Sequence, residues 1–234
     1  MKPLLAVISI AININFYGQT AKKYYESGNI KYNLKDYKGA IADFSKSIEL
    51  DPTNAKVYYS RGNSEYLSGD FKASLQDNTK AIELNLNDER AFYNRGASEY
   101  ELQDYKGSIL DYTKAIELNP KYAKAYTKRG NSKAILGDYQ EAILDYNKAI
   151  ELNPADASYY YNRGDAEAKI EDYKKAELDY SRVIELTPKD GSAYVNRGLC
   201  KDKLADKKGA CADWLKSSEL GNMDASDLIS KFCK

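Results

Sequence analysis

A period of 34 residues runs through most of the chain and constrains its fold more than any other feature. Glycine, aspartate and leucine each return at this step in six successive segments, without an insertion or a deletion. A fixed period of this size is the signature of stacked supersecondary units that bury their apolar faces against one another. We therefore expect six repeats, numbered 1 to 6, at residues 21–54, 55–88, 89–122, 123–156, 157–190 and 191–224. The repeat glycines are Gly28, Gly62, Gly96, Gly130, Gly164 and Gly198.

Repeat 4 shows that each unit contains two helices. Ala142, Tyr146 and Ala149 follow one another at steps of four and three, which is one face of an α-helix. Tyr126 and Gly130 are spaced in the same way on an earlier helix. A glycine inside a helix costs about 1 kcal/mol relative to alanine. Its return in every repeat predicts that the two helices approach closely at that point.

The boundaries of the two helices are also marked. Gly137 is a helix breaker, Asp138 is a residue type that caps helices, and Pro154 ends the second helix. The unit is thus helix, tight turn, helix, stop. It resembles the tetratricopeptide repeat, a 34-residue helix–turn–helix with an aromatic, glycine, alanine, aromatic, alanine, proline pattern. In repeat 4 the pattern reads Tyr126, Gly130, Ala142, Tyr146, Ala149 and Pro154.

The resemblance implies an all-α fold, a right-handed α-solenoid of six helix–turn–helix repeats over residues 20–222. Residues 223–234 are expected to form a C-terminal capping helix, since the end of a repeat stack needs a polar outer face. The repeats depart from the pattern at few places. Asn78 replaces the second-helix aromatic of repeat 2, which predicts that this repeat packs least well.

Residues 1–19 precede the repeats and have the layout of a secretory signal peptide. Lys2 is followed by the apolar run Leu4–Ile12 and then by a more polar stretch. This layout predicts a secreted or periplasmic protein, with no integral membrane segment in the mature chain. The alternative is a disordered or capping N-terminal segment.

Composition argues against several classes of function. The chain has 35 basic and 35 acidic residues, so bulk charge does not draw it to nucleic acid. It has no histidine, the commonest general base and metal ligand. We find no phosphate-binding glycine loop and no nucleophile–histidine arrangement. We therefore expect no catalytic residues, no cofactor and no metal site.

The resemblance implies a non-enzymatic scaffold that binds a protein or an extended peptide on the concave face formed by the first helices. A structural component of a cell-envelope assembly is the main alternative, and an enzyme or enzyme subunit is the third. We expect the ligand to lie across repeats 1 to 4, against the tyrosines of repeats 1 to 3, because tyrosine combines apolar area with a hydroxyl at modest entropic cost. The predicted contact residues are Tyr25, Asn29, Tyr32, Tyr59, Asn63, Tyr66, Tyr93, Asn94, Tyr100, Lys124 and Lys128. The alternative for the tyrosines is packing between repeats.

Part of this set resembles the carboxylate clamp by which some family members hold a peptide C-terminus. Asn63, Asn94, Lys124 and Lys128 fit four of its five positions. Tyr59 stands where the clamp has its first lysine, so the clamp is incomplete here.

Arginine precedes the repeat glycine in repeats 2 to 6, and aspartate recurs on every second helix. Repeat 1 has Ser27 in place of the arginine. We expect each arginine to pair with the aspartate of the preceding repeat, beginning with Arg61 and Asp43, because repeat 1 then needs no arginine. The alternative is a row of solvated charges, which contribute about 0–1 kcal/mol each.

All three cysteines lie near the C-terminus. Cys211 and Cys233 lie at nearly equal distances on either side of a turn expected at Gly221-Asn222, so antiparallel helices bring them opposite each other. We predict a disulfide between them and a buried thiol at Cys200. The alternative is three small core residues in a reducing compartment.

Overall fold

The structure is a computed structural model that describes the backbone of residues 2–233 and the side chains of residues 18–233. The side chains of the signal-peptide-like segment before residue 18 lie outside the described residues, so its assignment stays a prediction. The chain divides into two compact units, one up to Asn119 and one from Pro120 onward.

The first unit consists of helices in which each packs against the next along the chain. The first helix of repeat 1 is the C-terminal part of α1, and repeats 2 and 3 each contribute a helical hairpin. The helices are α1 (Lys2–Asn33), α2 (Tyr37–Leu50), α3 (Ala55–Ser68), α4 (Phe71–Glu83), α5 (Glu89–Glu101) and α6 (Tyr105–Leu118).

The second unit continues the pattern with the hairpins of repeats 4 to 6 and one further helix. That last helix packs on α12. The helices are α7 (Ala123–Ile135), α8 (Tyr139–Leu152), α9 (Ala157–Lys169), α10 (Tyr173–Leu186), α11 (Gly191–Lys203), α12 (Lys207–Glu219) and α13 (Asp224–Phe232). The part of the chain that the structure describes contains no strand. The all-α fold of stacked helical hairpins is confirmed.

Most local signals act as the sequence predicts, although Asp138, the N-cap residue of α8, forms no side-chain capping hydrogen bond. Asp36 begins α2 by accepting a hydrogen bond from the backbone N–H of Gly39 at 3.0 Å, which satisfies a free donor of the first turn. In the hairpin turns of repeats 2 and 4, a glycine directly precedes the aspartate that begins the second helix. Gly69 and Gly137 have φ of 88° and 89°, where a glycine avoids the strain of a side chain.

The repeat glycines allow close contact between the two helices of a hairpin. A methyl group at Gly130 would lie 2.7 Å from Cε1 of Tyr146, and one at Gly164 would lie 3.2 Å from Cε1 of Tyr180. Small residues on the second helix complete the contact, and Ala142 is fully buried. The predicted close approach is confirmed, and it explains why these helices tolerate a glycine at their centre.

The predicted arginine–aspartate pairing between repeats is wrong. Arg61 donates from Nε to Asp77 Oδ2 at 2.6 Å and from Nη2 to Asp77 Oδ1 at 2.8 Å, and both residues belong to repeat 2. The residue before the repeat glycine lies where the first helix crosses its own second helix, so the aspartate of the same hairpin is the nearer one. The other pairs are Arg95–Asp111, Arg129–Asp145, Arg163–Asp179 and Arg197–Asp213.

Repeat 1 shows why the missing arginine misled the prediction. Asp43 is not left alone there, because Lys31 Nζ lies 2.6 Å from its Oδ2 and Ser27 donates to the same oxygen at 2.6 Å. Arg61, Arg163 and Arg197 also reach the preceding repeat, through their third nitrogen, Nη1, and to a neutral group. Arg61 Nη1 donates to Ser45 Oγ at 3.0 Å. The ion pair of each arginine therefore joins the two helices of its own hairpin.

Candidate functional site

Two of the predicted contact tyrosines three residues before the repeat glycine, Tyr25 and Tyr93, pack on an aromatic ring of their own repeat. The rings of Tyr25 and Phe44 are 5.9 Å apart, and those of Tyr93 and Tyr112 are 5.5 Å apart. The partner in each pair is the buried aromatic of the second helix. One face of Tyr25 and of Tyr93 is therefore used by the hairpin, and both side chains are half-buried.

The tyrosines four residues after the repeat glycine also pack on the second helix. Their partners are the aromatics that begin that helix, in the pairs Tyr32–Tyr37 at 5.8 Å, Tyr66–Phe71 at 5.3 Å and Tyr100–Tyr105 at 5.4 Å. The Tyr66 hydroxyl donates to Glu101 Oε1 at 3.3 Å. Burial, together with the charge of Glu101, raises the pKa of Tyr66 to about 12. These rings are half-buried and keep an exposed edge.

Tyr59 differs from Tyr25 and Tyr93, because the second helix of repeat 2 has Asn78 where the second helices of the other repeats have an aromatic residue. Arg90 lies over its ring at 5.9 Å from guanidinium carbon to centroid, in a cation–π contact. Arg90 is itself held by Asp88, whose Oδ2 is 2.7 Å from its Nη2. Arg90 thus positions the Tyr59 ring, and the half-buried side chain keeps part of its ring exposed to solvent.

A cavity of about 260 Å³ opens beside Tyr59, between the first helices of repeats 1 and 2. Four of the predicted contact residues line it together, and two further polar residues complete it. The lining residues are Asn29, Tyr32, Asn33, Tyr59, Ser60 and Asn63. Aromatic faces beside amide groups are the composition of a surface that recognises a peptide.

Two of the predicted contact residues are bonded to each other. Asn94 Nδ2 donates to Asn63 Oδ1, which links repeat 3 to repeat 2. The same link occurs in the second unit, where Asn162 Nδ2 donates to Asn131 Oδ1 at 3.3 Å. Sequence reasoning missed these links, although the separation of 31 residues, three short of the period, recurs in both. The bond between Asn94 and Asn63 leaves Asn63 Nδ2 and Asn94 Oδ1 as the amide atoms that can form hydrogen bonds with a partner.

The two predicted lysines lie on α7 in the second unit. Lys124 is exposed and Lys128 is half-buried. The clamp-like set thus draws two residues from each compact unit, and it stays a prediction.

Sequence reasoning also missed a larger pocket in the second unit. It has a volume of about 430 Å³, and its walls include Ala168, Tyr173, Tyr180, Leu199 and Cys200. The available signal was the end of the aromatic run, since repeats 4 and 5 have alanine where repeats 1 to 3 have Tyr32, Tyr66 and Tyr100.

The structure joins Cys211 to Cys233 in a disulfide, the pair that the sequence analysis selects. Cys200 is a buried free thiol, and burial raises its pKa to about 12. Among residues 18–233, no cluster of three potential metal-ligating side chains is found. Within the described part of the chain, no helix combines the length and the apolar character that crossing a bilayer requires.

Comparison with known families agrees with the geometry. A family model described as TPR repeat matches residues 28–69, 96–134 and 130–170, and one described as tetratricopeptide repeat matches residues 157–190. Together they cover more than half of the chain. The chain belongs to the tetratricopeptide repeat family. Among curated proteins, none matches it.

Solved structures with the same fold include several tetratricopeptide repeat proteins. The crystal structure of a MamA protein has a TM-score of 0.69 at 25% identity, over 75% of this chain and 96% of that one. The crystal structure of YrrB, a TPR protein with an unusual peptide-binding site, has a TM-score of 0.66 at 26% identity, over 73% and 88%. Pseudomonas aeruginosa PilF has a TM-score of 0.75 at 16% identity, over 92% and 99%, which shows the fold alone.

Proposed function

We propose that this protein is a non-enzymatic scaffold that binds a peptide or an extended protein segment along the first helices of repeats 1 to 3. The observation that carries the proposal is the cavity in which Asn29, Tyr32, Tyr59 and Asn63 meet. Its walls offer two rings and several amide groups, which suit a chain of mixed character. The likeness to YrrB, a protein with a peptide-binding site, supports this interpretation.

Tyr59→Ala is the sharpest test of the proposal. Peptides are first selected on the native protein from a displayed random library, and one is then labelled for fluorescence anisotropy. We expect Tyr59→Ala to weaken its binding about tenfold, which corresponds to about 1.4 kcal/mol, because a ring in contact with the ligand is lost. Tyr93 is less suitable, since its ring packs on Tyr112 and its removal would also loosen the hairpin.

Tyr58→Ala is the matched control for this experiment. Tyr58 is the neighbouring half-buried tyrosine on α3, and it lies beside Arg61 instead of the cavity. Its loss should leave peptide affinity within about twofold, on the scale where tenfold is 1.4 kcal/mol. Equal losses for both variants, or unchanged binding by Tyr59→Ala, would place the site elsewhere.

The protein is further proposed to act outside the cytoplasm, in a secreted or periplasmic form. The signal-like layout of residues 1–19 motivates this, and a disulfide between Cys211 and Cys233 is stable only in an oxidising compartment. Mass mapping of non-reduced protein taken from its native compartment tests it. A free Cys233 thiol in that material would contradict the proposal.

A further inference from the structure

The pocket of the second unit exists because one aromatic side chain is missing. In repeats 1 to 3 the tyrosine four residues after the repeat glycine packs on the aromatic that begins the second helix, as Tyr66 does on Phe71. In repeat 5 this tyrosine is replaced by Ala168, while the aromatic that it would contact is kept as Tyr173. Tyr173 and Ala168 then both face the pocket.

The empty space has the surroundings of a ring-binding site. Tyr180 forms the floor, where it is 2% exposed, and Leu199 and Cys200 of α11 form the opposite wall. These three side chains give the pocket an apolar and aromatic lining. The volume of about 430 Å³ exceeds what one ring needs, so a ring and its neighbouring backbone can enter.

The polar groups of the pocket carry a net positive charge. Asp165 is engaged, because its Oδ1 accepts hydrogen bonds from the Tyr180 hydroxyl at 2.6 Å and from Asn196 Nδ2 at 3.4 Å. Lys169 and Lys203 also line the pocket and are exposed. Within residues 18–233, neither lysine has a carboxylate oxygen within 4.0 Å, although the charge of Lys169 acts on Asp165. An incoming carboxylate would therefore find two cations that no ion pair occupies.

Repeat 2 indicates where such a carboxylate would lie. The Tyr66 hydroxyl reaches Glu101, which is the counterpart of Lys203 in the following repeat. A ring that fills the space beside Ala168 in the same manner points its outer end toward Lys203. Lys169 directly follows Ala168 in the sequence. Both lysines line the pocket that the ring would enter.

We propose that this pocket binds an aromatic side chain of a partner peptide and that Lys169 and Lys203 hold a carboxylate next to that side chain. The pocket lies in the second unit and uses none of the residues of the cavity beside Tyr59. It adds a ligand class to the proposed peptide-binding function, on which it rests, and can be tested without any natural partner. Loss of the first site would leave this one intact.

The probe is 3-phenylpropionate, which contains one ring and one carboxylate, titrated into the ¹⁵N-labelled full chain. We expect saturable amide shifts at Ala168, Leu199 and Cys200. Ala168→Tyr supplies the missing ring from within, as repeats 1 to 3 do, and should abolish these shifts while the thermal midpoint is kept. The matched control is Ala134→Tyr, the same change at the equivalent place in repeat 4, which should leave the shifts unchanged.

A second pair of measurements tests the charge without altering the core. The neutral analogue 3-phenylpropanamide should bind at least about fivefold more weakly than 3-phenylpropionate, since hydrogen bonds to charged groups are stronger than those between neutral groups. The exposed double variant Lys169→Gln/Lys203→Gln should remove that difference, whereas Lys174→Gln/Lys208→Gln should keep it. Equal binding of the two probes to the native protein overturns the carboxylate assignment. Unaltered shifts in Ala168→Tyr overturn the ring assignment.

Discussion

The residue three positions after the repeat glycine is a lysine in some repeats and a glutamate in others. It is Lys31, Lys133 and Lys201 in repeats 1, 4 and 6, and Glu65, Glu99 and Glu167 in repeats 2, 3 and 5. The lysines pair with the second-helix aspartate, as Lys133 Nζ does with Asp145 at 2.9 Å. The glutamates lie beside the same aspartate, and each has a buried Oε2 without a hydrogen-bond partner.

A carboxyl group in that place is shifted toward its protonated form. The pKa of Glu65 is raised to about 8, mainly by burial and also by the charge of Asp77, while Arg61 opposes the rise. Burial raises the pKa of Glu99 and of Glu167 to about 7 for the same reason. The ordinary pKa of a glutamate is 4.5. The protonated Glu65 can donate a hydrogen bond to Asp77, which the ionised form cannot do.

Stability should therefore fall as the pH rises from about 5 to about 8. In that window the folded chain keeps protons that the unfolded chain has already released, so raising the pH favours unfolding. The free energy of unfolding falls by at most about 1.4 kcal/mol per pH step of one for each carboxyl group that is protonated only in the folded chain. The triple variant Glu65→Gln/Glu99→Gln/Glu167→Gln should show a flatter profile. Urea unfolding at about pH 5 and about pH 8.5, which together span this window, measures the effect.

The chain offers a matched control in the exposed glutamates of the same three repeats. Glu83, Glu117 and Glu185 lie on the surface beside lysine or arginine. Changing these three to glutamine should leave the pH profile of the native protein in place. A native profile that is flat or rises over this range would show that the buried glutamates ionise freely.

At the scale of the helical hairpin, the arginine–aspartate pair is the main polar link between the two helices. The arginine also lies over the aromatic side chain three residues before it, as Arg163 does over Tyr160 at 5.7 Å. Repeats 4 and 5 differ in what else reaches the aspartate. Asp145 has a second cation, Lys133, whereas Asp179 has Glu167 close by.

Arg163→Met should therefore destabilise the protein more than Arg129→Met. Removing Arg163 leaves a buried aspartate without a cation next to a second carboxyl group, at a cost of about 3–5 kcal/mol. Removing Arg129 leaves Asp145 paired with Lys133, and the cost should be roughly half as large or less. Equilibrium urea unfolding of the two variants gives the comparison.

A third variant identifies the cause of that difference. Glu167→Lys should give repeat 5 the lysine that repeat 4 already has, and in its presence Arg163→Met should become about as mild as Arg129→Met. Equal costs for the two arginine variants in the native background would contradict this account of the hairpin.

At the scale of the whole molecule, the C-terminal helix α13 closes the last hairpin. Its residues Ala225, Leu228 and Ile229 pack against the cluster around Trp214, which is fully buried. The disulfide joins α12 to the residue that follows α13, across 22 residues. Helix α13 thereby covers the apolar surface of the last hairpin, and the disulfide links it covalently to α12.

Reduction of the disulfide should lower the stability of the cap. The chain-entropy model gives about 3 kcal/mol for a loop of this size. Cys233→Ser should reproduce the effect of reductant, and the reductant should then have no further effect. The only tryptophan in the sequence, Trp214, reports the transition by fluorescence. An unchanged midpoint for Cys233→Ser would show that the apolar contacts alone hold α13.

The sequence by itself determined what depends on spacing along the chain. Gly130 and its counterparts predicted close helices, Asp36 and its counterparts predicted helix starts, and the symmetric placing of Cys211 and Cys233 about a turn predicted their proximity. These features are local, because helix periodicity, capping and short turns are decided within one hairpin.

Only the tertiary structure decided which partner each side chain takes. Arg61 pairs with Asp77 instead of Asp43, Asn94 bonds Asn63, and the space beside Ala168 is closed by Leu199 and Cys200 of the next repeat to form a pocket. A period assigns side chains to faces of helices, but two aspartates on equivalent faces of successive repeats are alike in sequence. The distance between packed helices selects one of them, and that distance is set by how ring, glycine and alanine fit together in space.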